Sequence, residues 1–329
     1  MSGDALKTAI GIDIGGTFVK FGLVRGKKIL FENRFSTAAF SSPRKLQEGL
    51  IDAIRLLQRA SRARVYGVGI GIPGLVRFPS GVVRTCVNIP GWKDVPLKSL
   101  LQRRLHLPVA VDNDVNVMAL AEWAYGAGRG VSNLLCMTLG TGVGGGLILD
   151  GKLFRGWEGS AGEIGHMPLN EEGPECPCGG KACLERFVGN SEIVDGVRLR
   201  LRRGRKSILR SLVNGKLDRI TPELIDQAVR RGDPLAQETW RQAGVHIGIT
   251  LSGVVNLLNP QRIVIGGGIS RAGQILFDEI RSTVERRAMH GVGHLSIVPA
   301  ALGSSAGLVG AALLVLQGES AGSGGRMSR

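Results

Sequence analysis

Short apolar runs that end in glycine recur along the chain, at residues 9–17, 68–74, 134–142 and 263–268. Each has the length and composition of a buried strand that leads into a tight turn at its carboxyl end. The first and third runs are each followed by a pattern that predicts an antiparallel hairpin, over residues 21–31 and 147–154. A strand, a glycine turn and a hairpin thus occur twice, about 125 residues apart, which predicts two similar halves.

Helix signals separate these runs. Helix starts marked by proline are predicted at Ser42–Pro43, Pro96 and Asp233–Pro234, and the last of these helices is predicted to end at Asn259–Pro260. A glycine-rich helix is predicted from about residue 304 to 317, followed by a disordered tail over residues 318–329. Strands that alternate with helices predict an α/β protein with functional residues at the carboxyl ends of its strands.

Length and composition narrow the class of protein. A chain of 329 residues, 43% hydrophobic and 21% charged, has enough apolar material for two folded domains and too much for a disordered protein. No apolar stretch is long enough to span a membrane, and the first residues lack a secretory signal, so a cytoplasmic protein is expected. The net charge of +15 favours anionic partners without choosing among nucleotides, phosphates, nucleic acid and membrane surfaces.

The glycine turn at residues 140–146 fits the dinucleotide fingerprint in spacing but not in context. That fingerprint needs a helix directly after the turn, and here a hairpin with an Asp150–Gly151 turn follows. No Walker-type phosphate loop is present either. Two interpretations remain: an ordinary turn between strands, or a turn whose amides and Thr141 hydroxyl bind phosphate oxygens.

A second turn of this kind follows the first strand. Asp13 ends the apolar run and precedes Gly15, Gly16 and Thr17, which offers a carboxylate for Mg²⁺ together with amides and a hydroxyl for phosphate. Two such turns in two similar halves could hold a triphosphate between them.

Polar residues also gather where a strand meets a helix, at Asp112, Asn113, Asp114 and Asn116. Buried without partners they would be costly, so we expect them to line a cleft. Asp114 would lie near the amino end of the helix, where the helix dipole favours the ionised carboxylate, and could accept a proton from a hydroxyl. The alternative is that Asp112 or Asp114 merely caps the helix.

Three of the five cysteines cluster, and a histidine precedes them. His166, Cys176, Cys178 and Cys183 have the spacing H-x9-C-x-C-x4-C, and four nitrogen and sulfur ligands suit a structural tetrahedral Zn²⁺. Such an ion would brace the nearby Glu163 and Glu185. The alternative is reduced thiols without a metal. The other two cysteines, Cys86 and Cys136, lie in apolar contexts and are interpreted as core residues.

Together these motifs resemble one family along residues 9–316. The motifs are DIGGT at 13–17, GIPG at 71–74, NIPGW at 88–92, Asn113–Asp114, LGTGVGGG at 139–146, EIGH at 163–166, CLE at 183–185 and the glycines at 266–268. The chain is similar to the ROK family of sugar kinases and repressors, within the hexokinase and actin-like ATPase superfamily, and most like its bacterial glucokinases.

The resemblance implies a fold and an activity. The fold would be α/β, with two similar ribonuclease-H-like (actin/hexokinase-type) domains and a cleft between them. The domains would cover residues 1–115 and 116–317, with a zinc-binding insertion over 163–185 and the last helix packed back on the first domain. The activity would be ATP-dependent phosphorylation of an aldohexose, glucose to glucose 6-phosphate, by a cytoplasmic homodimer.

The resemblance also implies residue roles. Asp114 would be the general base that takes the proton of the sugar hydroxyl. The other sugar contacts would be Asn113, Glu163, His166 and Glu185, with Asn88 as a further candidate. The phosphates of Mg-ATP would bind Asp13, Gly15, Gly16, Thr17, Lys20, Thr141 and Gly142, with Gly267 and Gly268 beside the adenosine. His166 would serve sugar and zinc through its two nitrogens.

Departures from the family pattern and rival functions stay open. Ala182 stands where the family often has glycine, and Ser304–Ser305 replaces an expected acidic pair.

An N-acetylglucosamine or N-acetylmannosamine kinase would use the same catalytic residues, and polyphosphate is an alternative phosphoryl donor. A sugar-sensing repressor would need a helix-turn-helix for which the residues before Asp13 leave no room. The basic run over 198–210 is interpreted as a solvated helix face rather than a nucleic-acid site.

Overall fold

The computed structural model describes residues 7–40, 42–86, 91–289 and 294–322. By its internal contacts the chain divides into two compact units. The first comprises residues 1–132, 146–162 and 301–329, and the second comprises residues 133–145 and 163–300.

The first sheet contains β1 (Thr8–Ile14), β2 (Phe18–Arg25), β3 (Lys28–Ser36), β4 (Val65–Ile72) and β8 (Val109–Asn113) in the order β3-β2-β1-β4-β8. β2 and β3 form the predicted hairpin, and β1, β4 and β8 run parallel. A small antiparallel sheet of β5 (Val76–Arg77), β6 (Val82–Thr85) and β7 (Lys93–Val95) lies between β4 and β8 in the chain. It was not predicted, because its strands are only two to four residues long.

Within the described residues, the α-helices of the first unit are α1 (Pro43–Ala60), α2 (Leu97–Leu105), α3 (Asp114–Tyr125) and α10 (Ala306–Gly322). The Ser42 hydroxyl accepts the N–H of Lys45, which confirms the predicted cap of α1. The apolar face of that helix, with Leu46 and Leu50, is fully buried.

The last helix packs on β1, β4 and α3. A Cβ on Gly69 would lie 1.6 Å from the carbonyl oxygen of Ala311, so the glycine lets α10 lie directly on β4. Because α3 packs on α10, α3 belongs to the first unit, and the boundary falls at residue 132 rather than 115. The helix also continues to Gly322, beyond the predicted end at 317, while residues 323–329 lie outside the described part of the chain.

The second sheet has the order β11-β10-β9-β12-β13, from β9 (Leu134–Leu139), β10 (Val143–Leu149), β11 (Lys152–Phe154), β12 (Arg262–Gly266) and β13 (Ser296–Pro299). β9, β12 and β13 run parallel, and β10 and β11 form the predicted hairpin. Asp150 and Gly151 both have positive φ, as a two-residue hairpin turn requires. The recurrence of strand, turn and hairpin is therefore confirmed.

The helices of the second unit are α4 (Glu185–Val188), α5 (Asn190–Arg202), α6 (Leu209–Leu212), α7 (Pro222–Arg230), α8 (Pro234–Leu258) and α9 (Gln274–Arg287). The Asp233 carboxylate accepts the N–H of Ala236 at the start of α8, and Asn259 ends that helix in the left-handed conformation, as predicted. None of the helices in the described ranges combines the length and the apolar composition that a membrane span requires.

Asp226 on α7 predicts a dependence of stability on pH. Burial raises the pKa of this carboxyl from 3.8 to about 6, with Trp240 and Arg230 opposing the shift. The folded protein therefore holds a proton that the unfolded chain releases between about pH 4 and 6, so the free energy of unfolding falls as the pH rises through that window. We expect Asp226→Asn to stabilise the protein by about 1 kcal/mol at neutral pH, after allowance for solvent screening.

Thermal unfolding of both proteins from pH 4 to 8 measures this effect. The gain should shrink as the pH falls toward 4, because the folded protein keeps the proton on Asp226 and the unfolded chain begins to bind it as well. The matched control is Asp218→Asn, at an exposed carboxylate of the same unit, which should change little at any pH. An Asp226→Asn gain that is equal at pH 4 and pH 8 would contradict the explanation.

Candidate active site and cysteine cluster

The turn after β1 is closed by its own backbone. The Gly15 N–H donates to the Phe18 carbonyl at 2.9 Å, and Thr37 donates its hydroxyl to the Gly15 carbonyl and its N–H to the Thr17 carbonyl. Gly16 and Thr17 are exposed, and within the described residues their N–H groups have no hydrogen-bond partner. The turn therefore presents two amides and one hydroxyl outward, whereas the amide of Gly15, also expected to bind phosphate, is already used.

Asp13 lies at the end of β1, opposite Lys20 on β2. Burial raises the pKa of the Asp13 carboxyl, and Lys20 opposes that shift. The Lys20 ammonium also donates to the carbonyl of Ser304 at 3.4 Å, so Ser304 meets Lys20 through its backbone. A Cβ on Gly307 would lie 2.4 Å from Asp13 Oδ2, so the first turn of α10 fits against this carboxylate only with glycine there.

Asn113, rather than either acid, caps α3. Its side-chain oxygen accepts the N–H groups of Val115 at 2.8 Å and Asn116 at 3.2 Å, and its amide nitrogen donates to the Gly74 carbonyl at 3.1 Å. The N-cap of α3 is therefore Asn113 and not Asp112 or Asp114, although Asp114 Oδ1 also accepts the N–H of Val115 at 3.0 Å. The Asn113 amide nitrogen carries two hydrogens and uses one for Gly74, so one N–H remains for a ligand, whereas the amide oxygen is already occupied. Asp114 is the first residue of the helix and is partly exposed.

Asp112 and Asn116 do not line a cleft, which corrects the expectation for two of the four polar residues. Both are buried, 1% and 2% exposed, and the Asn116 amide donates to Asp112 Oδ1 at 2.9 Å. Asp112 Oδ2 accepts from Arg155 at 2.7 Å. Local sequence gave no signal for this ion pair, because its members are 43 positions apart. With these partners the burial cost of the Asp112 carboxylate is offset, whereas Asn116 Oδ1 is buried without a hydrogen-bond partner among the described residues.

In the second unit, the turn between β9 and β10 is joined to Glu185. The Gly140 N–H donates to the Gly142 carbonyl at 3.0 Å, and Glu185 Oε2 accepts the N–H of Val143 at 2.8 Å. Thr141 is exposed. Glu185, expected from the resemblance as a sugar contact, therefore has one oxygen bound to the turn.

His166 faces two groups through its two ring nitrogens. Nδ1 lies 3.6 Å from the Cys176 sulfur, and Nε2 lies 3.9 Å from Glu163 Oε2. Burial raises the pKa of Glu163; His166 opposes the shift and Glu185 adds to it. The second unit thus brings Glu163, His166 and Glu185 together, whereas Asn88 lies outside the described residues.

The cysteine cluster has the dimensions of a metal site. The ligand atoms of His166, Cys176, Cys178 and Cys183 all lie within 4.8 Å of one another. The sulfurs of Cys178 and Cys183 are 3.7 Å apart, and two thiolates on a tetrahedral zinc at about 2.3 Å would be about 3.8 Å apart. A hydrogen bond from the Gly180 N–H lowers the pKa of Cys178, and burial raises the pKa of Cys183 to about 12.

The residue before Cys183 and the two cysteines outside the cluster were also singled out in the sequence. Ala182, at the departure from the family pattern, has φ of 52°, the left-handed region that glycine occupies without strain. Cys86 and Cys136 are buried, as expected of core residues.

Gly267 and Gly268 follow β12 and differ in their surroundings. Gly267 has φ of +90°, and a Cβ there would lie 2.1 Å from the Leu139 carbonyl oxygen. Nothing lies within 4 Å of the position that a Cβ would take on Gly268. Both residues are exposed, but backbone packing leaves no room for a side chain at Gly267, whereas the space beside Gly268 is open.

Four of the seven basic residues in the run over 198–210 have hydrogen-bond or ion-pair partners within the second unit. Arg198 donates to Asp195 and to the carbonyls of residues 217, 218 and 220, and Arg200 and Arg205 both pair with Glu238. Arg210 donates to the Leu201 carbonyl. These contacts favour a structural role for most of the run.

Known proteins resemble this chain in both sequence and fold. The sequence profile of the ROK family matches residues 9–318. The glucokinase of Streptomyces coelicolor is 35% identical over 309 residues, which are 92% of this chain and 96% of that protein. The ROK glucokinase of Streptomyces griseus, solved with glucose and AMPPNP, superposes with a TM-score of 0.82 at 34% identity over 94% of this chain and 99% of that chain.

A transcriptional regulator also superposes. The ROK family regulator homologous to Escherichia coli Mlc gives a TM-score of 0.88 at 28% identity, over 95% of this chain and 78% of that chain. The mixed α/β architecture with two units is therefore the actin/hexokinase-type fold. Within that fold class, the chain belongs to the ROK family.

Proposed function

We propose that the protein is a hexose kinase that transfers the γ-phosphoryl group of ATP to the primary hydroxyl of an aldohexose, with glucose as the preferred acceptor. The observation that carries the proposal is the position of Asp114, a partly exposed carboxylate at the first position of α3. The residues before it are fixed in place, because Asn113 caps the helix and Asp112 forms a buried ion pair. The similarity to glucokinases supports the choice of acceptor.

Asp114 would act as the general base. The sugar hydroxyl oxygen forms a bond to the γ-phosphorus, the bond from that phosphorus to the bridging oxygen of ADP breaks, and the hydroxyl proton passes to the Asp114 carboxylate. The amino end of α3 favours the ionised carboxylate before transfer. Asn113 would donate its remaining N–H to the sugar, and Glu163, His166 and Glu185 would hold other hydroxyls, with Asn88 as a further candidate.

The phosphate-binding residues follow from the two turns. Gly16 and Thr17 have exposed amides and a hydroxyl that can bind phosphate oxygens. Lys20 adds a cation, and Asp13 opposite it adds a carboxylate ligand for Mg²⁺. The residues present therefore fit a nucleotide–magnesium complex. In the second unit Thr141 and Gly142 would contact phosphate, and Gly268 the adenosine. Bound Mg²⁺ would neutralise charge on the transferred group.

We also propose that His166, Cys176, Cys178 and Cys183 bind one structural zinc ion. The close approach of their ligand atoms supports this, and so does the orientation of His166 between the cysteines and Glu163. A zinc ion on Nδ1 would fix the tautomer of His166 and so the nitrogen that faces the sugar.

Zinc binding is measured by metal analysis of the purified protein. We expect one zinc ion per chain in the wild type, little in Cys183→Ser, and an unchanged content in the control Cys86→Ala. Because burial keeps Cys183 a thiol when the metal is absent, zinc binding should release protons and strengthen as the pH rises. Wild-type protein that stays zinc-free after incubation with excess zinc would overturn the proposal.

A coupled assay of ADP release with Mg-ATP tests the kinase proposal. The panel contains glucose, mannose, fructose, allose, N-acetylglucosamine and N-acetylmannosamine, and a parallel series replaces ATP with polyphosphate. Glucose with ATP should give the highest kcat/KM. If an N-acetylhexosamine leads, the chemistry stands and the acceptor is wrong. If no sugar reacts with either donor but glucose binds, the protein is a sugar-sensing relative. Light scattering on the same sample measures the proposed homodimer.

A further inference from the structure

Arg155 lies between two groups of the first unit. It follows β11, and its guanidinium Nε donates to Asp112 Oδ2 at 2.7 Å. The guanidinium also lies 3.6 Å from the centre of the Phe78 ring, within the range of a cation–π contact. The two charged side chains are 18% and 2% exposed, so this ion pair is largely removed from water. Removing one partner of a buried ion pair destabilises a protein far more than removing one partner of an exposed pair, because the remaining charge stays buried without a counter-charge.

The other oxygen of Asp112 organises the amino end of α3. Oδ1 accepts the N–H of Asn113 at 2.8 Å and the side-chain amide of Asn116 at 2.9 Å. Asn113 caps the helix, and Asn116 lies in its first turn. One carboxylate thus joins Arg155 to the residues on both sides of Asp114.

We propose that Arg155 is a positioning residue for Asp114, acting through Asp112. This inference rests on the proposed function, because it assigns Arg155 to the reaction in which Asp114 is the base. Without Arg155, the buried Asp112 carboxylate has no cation, and it must take up a proton or turn toward water. Either change alters its hydrogen bonds to Asn113 and Asn116, and with them the direction of the Asp114 side chain.

The kinetic test compares Arg155→Ala and Arg155→Lys with Arg84→Ala. Arg84 is a matched control, because it pairs with Glu158 at 3.2 Å in the same unit but in an exposed position. We expect Arg155→Ala to lower kcat about 10²-fold, since a displaced catalytic group costs about that much, with smaller changes in both KM values. Arg155→Lys should recover little, because an ammonium lacks the planar fork that meets Asp112 and Phe78. Added guanidinium ion should partly restore the kcat of Arg155→Ala.

Hydrogen exchange supplies a readout that does not need activity. Arg155→Ala should speed amide exchange in peptides covering residues 112–118 and leave β1 unchanged, and guanidinium should slow that exchange again. The double variant Arg155→Ala, Asp112→Asn should be less impaired than the sum of the two single variants, because no buried charge is then unpaired.

Three outcomes decide whether Arg155 positions Asp114. A kcat for Arg155→Ala equal to that of Arg84→Ala overturns the inference. A loss that guanidinium does not rescue, with faster exchange throughout the first unit, also overturns it, because Arg155 would then be structural only. A wild type inactive with every sugar and donor defeats the proposed function instead, and exchange over 112–118 still decides whether Arg155 controls that segment.

Discussion

Asp114→Asn is expected to abolish most phosphoryl transfer, with kcat falling about 10²- to 10⁴-fold, because a positioned base contributes that much. Asparagine keeps the shape of the side chain but cannot take the hydroxyl proton. The helix should survive, because Asn113 and not Asp114 provides the cap. Loss of one acid near the helix amino end costs only about 0.3–1 kcal/mol. The KM for sugar should change much less than kcat.

Steady-state kinetics with glucose and thermal unfolding measure these effects together. Asp150→Asn is the matched control: it makes the same chemical change at an exposed hairpin turn whose positive φ asparagine also tolerates. Its kcat should equal that of the wild type. Turnover by Asp114→Asn within tenfold of the wild type would remove Asp114 from the role of base.

Gly267→Ala is expected to destabilise the protein by about 3 kcal/mol or more, through the strain of a positive φ added to overpacking. The new methyl group would lie 2.1 Å from the Leu139 carbonyl oxygen and 2.6 Å from the Leu139 nitrogen, and both are backbone atoms of a buried strand. Neither atom can move without disturbing the pairing of β9 with β12. Thermal unfolding should show a large fall in Tm.

Gly268→Ala separates packing from nucleotide binding at the neighbouring position. Its φ of −61° and ψ of −43° suit alanine, and the space around it is open, so stability should change by no more than about 0.5 kcal/mol. If adenosine lies against this residue, the KM for ATP should rise while the KM for sugar stays constant. A large loss of stability in Gly268→Ala, or none in Gly267→Ala, would contradict the packing described here.

Most of the secondary structure that frames the site was predictable because its causes are local. The hairpin turn at Asp150–Gly151 and the cap at Asp233 depend on residues a few positions apart. The approach of His166 to the cysteines also follows from near neighbours, since the four ligands lie within 18 residues. Such features need no knowledge of which distant segments meet.

The contacts of Asp112, Gly267 and Gly307 could not be predicted in the same way. Their side chains or backbones meet partners that are distant in the chain: Arg155 for Asp112, Leu139 for Gly267 and Asp13 for Gly307. From its local sequence Asp112 is therefore expected in a cleft, and the family resemblance implies that Gly267 and Gly268 both lie beside the adenosine. The structure instead buries Asp112 in an ion pair, and it shows that backbone packing at Leu139 by itself requires glycine at 267.

By itself, the sequence determined the α/β class, the repeated strand, turn and hairpin, the helix caps and the four residues of the cysteine cluster. Only the tertiary structure decided that α3 belongs to the first unit, which residue caps α3, and that Arg155 holds the carboxylate next to the proposed base. The physical reason is the same in each case. Turns, caps and periodic apolar faces are set by interactions within a few residues, whereas burial and ion pairing depend on which distant segments pack together.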